Sequence, residues 1–476
     1  MDKYKVVIGL EMHCELKSNS KVFSPSKNGY SSAANSHVNE IDLAFPGTLP
    51  TVNKKSVKDA IKMALVLNCK IPNYMYFDRK NYYYPDLPKG YQITQFTSPV
   101  GVDGHIEAPC NNRIIPVDIH DIHLEEDSAS MDHLGNESLL DYNRAGVPLL
   151  ELVTEPCLHS AEEAVAFLEY MRSVYQYCEI SDADTKMGQV RCDVNISIMD
   201  NDANELGTRV EIKNINSFGN VYDAINYEIK RQTELKAAGR YDEVEQETRR
   251  YDEESGTTIR MRTKADAIDY KYFVDPNIPK YKISEEWINI IKREIPKLKE
   301  ERKKEYLNNY GINENDVNLL VKEKEISDYF DKCIELGIDS KEACNWINVN
   351  ISAYLNKEDI KITDIYLTPE MLKFIIDNIK NGTISSKQAK EIFFKVLDEK
   401  QEPSKYISKE NAQISSEEEL EKIIDEIISY SQEQLEQYRS GRDRLFDYFV
   451  GQVMKNTRGK ANPIITKELL QKKLNQ

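Results

Sequence analysis

Apolar and polar residues alternate with a period of two along several short stretches in the first half of the chain, the pattern of strands buried on one face. At residues 6–16 (Val-Val-Ile-Gly-Leu-Glu-Met-His-Cys-Glu-Leu), Ile8, Leu10, Met12, Cys14 and Leu16 share one face, and Glu11, His13 and Glu15 share the other. At 115–127, Asp121, His123 and Glu125 fall on one face if the strand persists, and Glu125-Glu126-Asp127 end it with three acids. Residues 148–155 pair Glu151 with Glu155. Residues 190–198 set Val190, Cys192, Val194, Ile196 and Ile198 against Arg191, Asp193, Asn195 and Ser197, and 208–213 display Arg209, Glu211 and Lys213. From about Ser284 the pattern changes to helical spacing, as in Trp287, Ile290, Ile291 and Ile295. Thr368-Pro369-Glu370 predicts a capped helix that ends at Asn381-Gly382, and Ser385 or Ser386 caps the next. Residues 400–405 read as a linker. A helix capped at Ser415-Ser416 follows, and two further helical segments come after it.

These patterns predict an α+β protein: a mixed or antiparallel-sheet, catalytic-looking body over 1–293, an all-helical domain over 294–405 and a small helical tail domain over 406–476. A length of 476 residues with 40% hydrophobic content supports several packed cores. No apolar run is long enough to span a bilayer, and the start at Met1-Asp2-Lys3 enters a strand pattern directly, so a cytoplasmic protein without membrane contact is expected. The eight cysteines include no CxxC pair. The net charge of −17 argues against general polyanion binding. Between residues 439 and 473, however, nine bases oppose three acids, which makes this end either a local contact for a phosphate backbone or a solvated face.

Clustered carboxylates repel one another and take up protons unless a cation joins them. Five strands in one half of the chain aim acids to one side and mix them with Arg, Lys and Asn. Hard oxygen donors beside fixed cations suit Mg²⁺ and a polyphosphate better than zinc. Phosphoryl transfer from a nucleotide is the chemistry this implies. The chain has neither a GxxxxGK[ST] loop nor a kinase glycine loop, so a nucleotide would bind a sheet surface of another kind. Residues 77–95 combine tyrosines, Pro/Gly turns, Arg79, Lys80 and Lys89, and read either as a phosphate-binding loop or as a surface loop with structural tyrosines. Ser385-Ser386-Lys387 lacks the setting of an amidase nucleophile and reads as a cap, so ammonia would have to come from elsewhere.

Eight ordered blocks carry a family resemblance: Val-Ile-Gly-Leu-Glu-Met-His-Cys-Glu-Leu (7–16), Phe-Pro-Gly-Thr-Leu-Pro (45–50), Asp-Arg-Lys-Asn-Tyr-Tyr-Tyr-Pro-Asp-Leu-Pro-Lys-Gly-Tyr-Gln (78–92), His-Leu-Glu-Glu-Asp (123–127), Asn-Arg-Ala-Gly-Val-Pro-Leu-Leu-Glu-Leu (143–152), Arg-Cys-Asp-Val-Asn (191–195), Glu-Ile-Lys-Asn-Ile-Asn-Ser (211–217) and Gln-Glu-Thr-Arg-Arg-Tyr (246–251). With Val-Gly-Gln-Val-Met-Lys (450–455) and Ala-Asn-Pro (461–463), the chain resembles the GatB family of aspartyl/glutamyl-tRNA amidotransferase components over its whole length. The resemblance implies an ATP-dependent ligase that phosphorylates the side-chain carboxylate of Glu on tRNA(Gln) or Asp on tRNA(Asn). Ammonia released from glutamine by a partner amidase of the same enzyme would then displace the phosphate, and a small third partner would complete the assembly.

The resemblance further implies that the catalytic domain is a cradle, that Glu11, His13, Glu125 and Glu151 bind Mg²⁺, and that the tail handles tRNA. Asp193 is a further candidate for metal or nucleotide, and Lys80, Arg191 and Lys213 for phosphate. Family members with a zinc site carry cysteines near the stretches here written Phe23-Ser24-Pro25-Ser26 and Ala33-Ala34-Asn35. This chain has none between Cys14 and Cys69, so no zinc is expected. A tRNA-binding scaffold with a structural metal, and a stand-alone carboxylate ligase acting on a small molecule, remain open at this stage.

Overall fold

The computed structural model describes residues 4–31, 33–263, 269–407, 414, 416–457 and 459–475. The expectations placed on Met1-Asp2-Lys3, on Ser415 as a cap and on Arg458 lie outside the described residues. The described chain divides into two compact units, residues 1–298 and 299–476.

The first unit is built on an eight-stranded sheet. Across it the strands run Thr257–Thr263, Glu247–Asp252, Val210–Ile215, Val190–Asp200, Tyr4–Glu15, Pro148–Thr154, Arg113–Glu126 and Gly101–Cys110. Each neighbouring pair is antiparallel except Val210–Ile215 with Glu247–Asp252. The apolar set Ile8, Leu10, Met12 and Cys14 is fully buried on one face, together with Val194, Ile196, Leu150 and Leu152. Three helices, Lys54–Val66, Ala161–Tyr177 and Phe218–Ala237, add their apolar sides to this core. Each starts where a side chain takes the place of a missing backbone acceptor. Asn53 accepts from the amides of Lys55 and Ser56, Ser160 from Glu163, and Ser217 from Asn220. Close approach needs glycine at position 104, where a Cβ would sit 2.6 Å from the Cys69 sulfur and 2.8 Å from the Leu67 carbonyl.

A smaller sheet of Phe273–Val274, Asp78–Asn81 and Tyr91–Thr94 carries the tyrosine-rich segment. The change to helices comes where the periodicity places it: Tyr281–Lys282 is the last strand, and Ser284 caps the helix Glu285–Arg293.

The second unit holds two apolar clusters, one drawn from residues 306–397 and one from 420–474. The helices Pro369–Lys380 and Ser386–Glu399 begin at Thr368 and Ser385, so Ser385 rather than Ser386 is the cap. Two expectations need correction. Residues 400–405 are not an open linker. Lys400 ends the preceding helix at φ +50°, Pro403–Tyr406 forms a 3₁₀ turn with Pro403 buried, and the Tyr406 hydroxyl donates to Glu399 at 2.8 Å. After the helix Glu417–Tyr430 the described residues form three helices rather than two: Gln432–Arg439, Leu445–Asn456 and Pro463–Leu474. The first of these leaves little trace in the sequence because it is short and polar, buries only Leu435, and follows its neighbour after the single residue Ser431.

Candidate active site

Register across the large sheet assembles the site. His13 lies opposite Glu151 on one side and Arg191 on the other, while His123 lies opposite Glu151 from the next strand. A transverse row Arg191, His13, Glu151, His123 therefore crosses four strands on the polar face. Glu11 stands beside it, opposite Asp193.

The strand Arg113–Glu126 reaches this row only through an irregularity between Ile119 and Asp121. Before it, Ile115, Val117 and Ile119 are buried, and Asp118 and His120 are exposed; after it, Ile122 and Leu124 are buried. An unbroken period of two would send His123 and Glu125 into the core, and the bulge turns them to the polar face.

Within the row, one Glu151 carboxylate oxygen faces the Nε2 atoms of both His13, at 3.4 Å, and His123, at 3.2 Å. His123 Nδ1 is held by Asp121 at 2.7 Å. His13, Glu125 and Glu151 offer ligand atoms that all lie within 4.8 Å of one another. A second set, Glu11, Asp193 and Glu211, does the same. Oxygen ligands at roughly 2.0–2.6 Å from a divalent ion stand up to about 4–5 Å apart, so both sets fit such an ion in spacing and in donor type. Asn195 donates to Glu11 at 2.9 Å, and Lys213 Nζ bridges Asp193 at 2.6 Å and Glu211 at 2.9 Å. Arg191 donates to Asp127 at 2.6 Å.

The charges hold each other. Burial, and then the neighbouring Glu151 carboxylate, raise the Glu125 pKa. For Glu151 burial acts the same way but the imidazoliums of His123 and His13 outweigh it, keeping its pKa well below the usual carboxylate range. Burial disfavours charge on His13, yet Glu151 and Glu125 together lift its pKa from 6.5 to about 9, and against the same cost of burial Glu151 and Asp121 raise that of His123 well above 6.5. Lys80 is also raised: burial opposes its charge, and the Glu125 carboxylate overcomes that. The Lys213 pKa rises because Asp193 and Glu211 outweigh its burial. An acid cluster that must protonate or recruit cations has here recruited two histidines and a lysine.

All eight residues that the sequence singles out, Glu11, His13, Lys80, Glu125, Glu151, Arg191, Asp193 and Lys213, line one open cavity of about 680 Å³. Sequence reasoning sets no role for Glu211, His123 or Asp127, although each belongs to an acid-bearing stretch of the sequence; which facing residues touch depends on register, which alternation does not show. Glu155 does not join Glu151. The strand ends at Thr154, and Glu155 binds His120 at 2.8 Å. Arg209 precedes the strand Val210–Ile215. Of the three bases in the tyrosine-rich segment, Lys80 alone lines this cavity. Arg79 is held by Asp275 at 2.7 Å and lies over the Tyr91 ring, and Lys89 is paired with Glu126. In the stretch Phe23-Ser24-Pro25-Ser26, the Ser24 and Ser26 hydroxyls both donate to Asp42, at 2.6 and 2.5 Å.

Residues 6–289 match the GatB/GatE catalytic domain and residues 328–474 the GatB domain, which sets this chain in the class of amidotransferase components that join a catalytic body to a helical end. It belongs to the GatB family, the B subunits of the aspartyl/glutamyl-tRNA(Asn/Gln) amidotransferases. It is 42% identical over 478 residues to the B subunit of that enzyme from Brevibacillus brevis, covering 100% of both chains. The counterpart from Geobacillus kaustophilus is 43% identical over 469 residues, 98% of each chain, and that from Bacillus licheniformis 42% over 475 residues, 99% of each. Among the described residues no helix is long and apolar enough to cross a membrane.

Proposed function

We propose that this chain is the activating component of a glutamine-dependent carbon–nitrogen ligase acting on misacylated tRNA in the cytoplasm. The γ-phosphoryl group of ATP passes to the side-chain carboxylate of Glu on tRNA(Gln), or of Asp on tRNA(Asn), giving an acyl phosphate and ADP. Ammonia made from glutamine by the partner amidase then attacks the acyl carbon, and inorganic phosphate leaves. A small third partner completes the assembly. The observation that carries this reading is that Glu11, His13, Glu125, Glu151 and Asp193 line one cavity together with Lys80, Arg191 and Lys213.

His13, Glu125 and Glu151 in one set, and Glu11 and Asp193 in the other, are the residues that would hold Mg²⁺. When bound, the ion supplies positive charge to phosphate oxygens and so stabilises charge built up in phosphoryl transfer. The chain's own groups do the rest. Lys80, kept charged beside Glu125, attracts the substrate carboxylate or the phosphate. Arg191 and Lys213 are each already aimed by an acid, Asp127 and Asp193, and so are fixed in direction before an anion arrives. Asp121 orients the His123 ring, which in turn fixes Glu151. The tail over 406–476 is the tRNA-contacting part, and 294–405 the helical spacer.

Measuring ATP hydrolysis by the assembled complex with and without misacylated tRNA tests the reading. ADP formation that depends on the aminoacylated tRNA is expected. Equal hydrolysis in its absence would favour a ligase for a small molecule.

A further inference from the structure

Four aromatic rings outside the acid clusters form one continuous file. Phe96 stacks on Tyr272, with centroids 4.2 Å apart and planes 12° apart. Tyr272 meets Tyr270 edge-on at 6.0 Å, and Tyr270 meets Tyr82 edge-on at 5.6 Å. The file ends on Lys80, whose Nζ lies 5.0 Å from the Tyr270 centroid and 5.9 Å from that of Tyr82. Lys80 and Tyr82 both line the cavity. At the other end Phe96 is 62% exposed. Burial raises the Tyr272 hydroxyl pKa against the pull of Lys80, and Glu125 and Glu151 add to it, which sets this ring within the field of the acids. None of the four rings belongs to the hydrophobic core of the unit. A connected run of rings that leads from solvent to a charged cavity, and packs into no core, is surface kept for a partner.

Nucleobases fit such a surface because every base has a π-face, and aromatic side chains bind unpaired strands by stacking with little regard to sequence. We propose that Phe96, Tyr272, Tyr270 and Tyr82 are the track on which the unpaired 3′-terminal nucleotides of the substrate tRNA stack. This inference rests on the function proposed above and names the contacts that deliver its substrate. An amino acid esterified to the terminal ribose brings its nucleoside to the cavity mouth when its carboxylate reaches the acids. A file of four rings also exceeds what one adenine covers, so a strand of successive bases fits its length better than the base of ATP. Lys80 at the inner end stands where the backbone charge or the carboxylate arrives.

The test uses the assembled complex and deacylated tRNA whose 3′-terminal adenine is replaced by 2-aminopurine, a fluorescent base quenched by stacking. Quenching on binding is expected with the unaltered chain. Phe96→Ala and Tyr272→Leu should weaken this binding roughly tenfold, raise KM for the misacylated tRNA and leave KM for ATP unchanged. Because Phe96 is exposed, its loss spares the fold, and Phe96→Trp should restore quenching. A rise in KM for ATP with an unchanged KM for tRNA would overturn the proposal and give the rings to the base of ATP. Unchanged quenching and unchanged constants in both variants would overturn it too, leaving the rings as packing only. The quenching needs no chemistry, so a complex that transamidates without ATP would defeat the proposed function and leave this readout standing.

Discussion

Glu151 is the residue on which the site turns. Its carboxylate meets two imidazoles, and the cations it attracts hold its pKa low. Glu151→Gln keeps the shape and removes the charge that opposes the cost of burial, so the His13 pKa should fall from about 9, a shift that NMR of the ring protons reads directly. The signs also fix a stability profile. A group raised from 6.5 to about 9 stabilises the fold fully below 6.5, and that contribution is lost as pH rises through 9. A depressed carboxylate stabilises above its ordinary value of 4.5, and that contribution is lost as pH falls through its folded pKa. The metal-free protein should thus gain most from this trio between about pH 4.5 and 6.5. Mg²⁺ reverses the upper limb, because an imidazole must lose its proton to bind a metal. Thermal melts from pH 6.5 to 9 with and without Mg²⁺ should show the ion's stabilising effect growing with pH.

At the scale of elements, burial of unlike charges joins the helix Phe218–Ala237 to the sheet's edge. Glu228 on that helix is fully buried and is held by Arg231 and Arg249, and Glu247 in the strand Glu247–Asp252 is held by Arg249, Arg231 and Arg260. Arg249, like Arg231, touches both acids, and it also holds its own strand's neighbour, donating to the Thr258 hydroxyl at 2.8 Å and carbonyl at 2.7 Å. Arg249→Met leaves two buried carboxylates short of a partner. It should cost about 3–5 kcal/mol in chemical denaturation, where breaking an exposed pair such as Arg240 with Glu243 changes stability far less. Elements were the most legible scale in the sequence. Alternation located the strands that carry Glu11, Glu151 and Asp193, and Thr368 and Ser385 marked helix starts. Register was not legible, since it depends on which strands pair. Nothing local announces that His123 would face Glu151, that a bulge near Asp121 would turn Glu125 outward, or that Glu211 would join Glu11 and Asp193. Short polar elements such as Gln432–Arg439 escaped for a different reason, having almost no apolar face to reveal them.

The whole chain carries a net charge of −17, so the tRNA contact proposed for it has to be local. In the second unit the acidic helix Glu417–Tyr430 lies against the basic end, with Lys473 bound to Asp425 at 2.9 Å, while Lys455, Lys467 and Lys472 are exposed. Tyr406 and Ile407 pack on the middle helical cluster, so a truncation that spares it removes 408–476 rather than 406–476. That truncated chain, in complex, should bind tRNA more weakly and with a flatter dependence on salt, while glutamine hydrolysis by the partner stays near its full rate. Binding isotherms across a salt series measure both effects. The most direct test of the account is product formation by a reconstituted complex carrying Glu151→Gln, supplied with ATP, Mg²⁺, glutamine and misacylated tRNA. The account predicts that tRNA-dependent ADP formation and amidated tRNA both fall at least a hundredfold, with glutaminase activity retained. Amidated tRNA formed at the unaltered rate would contradict it.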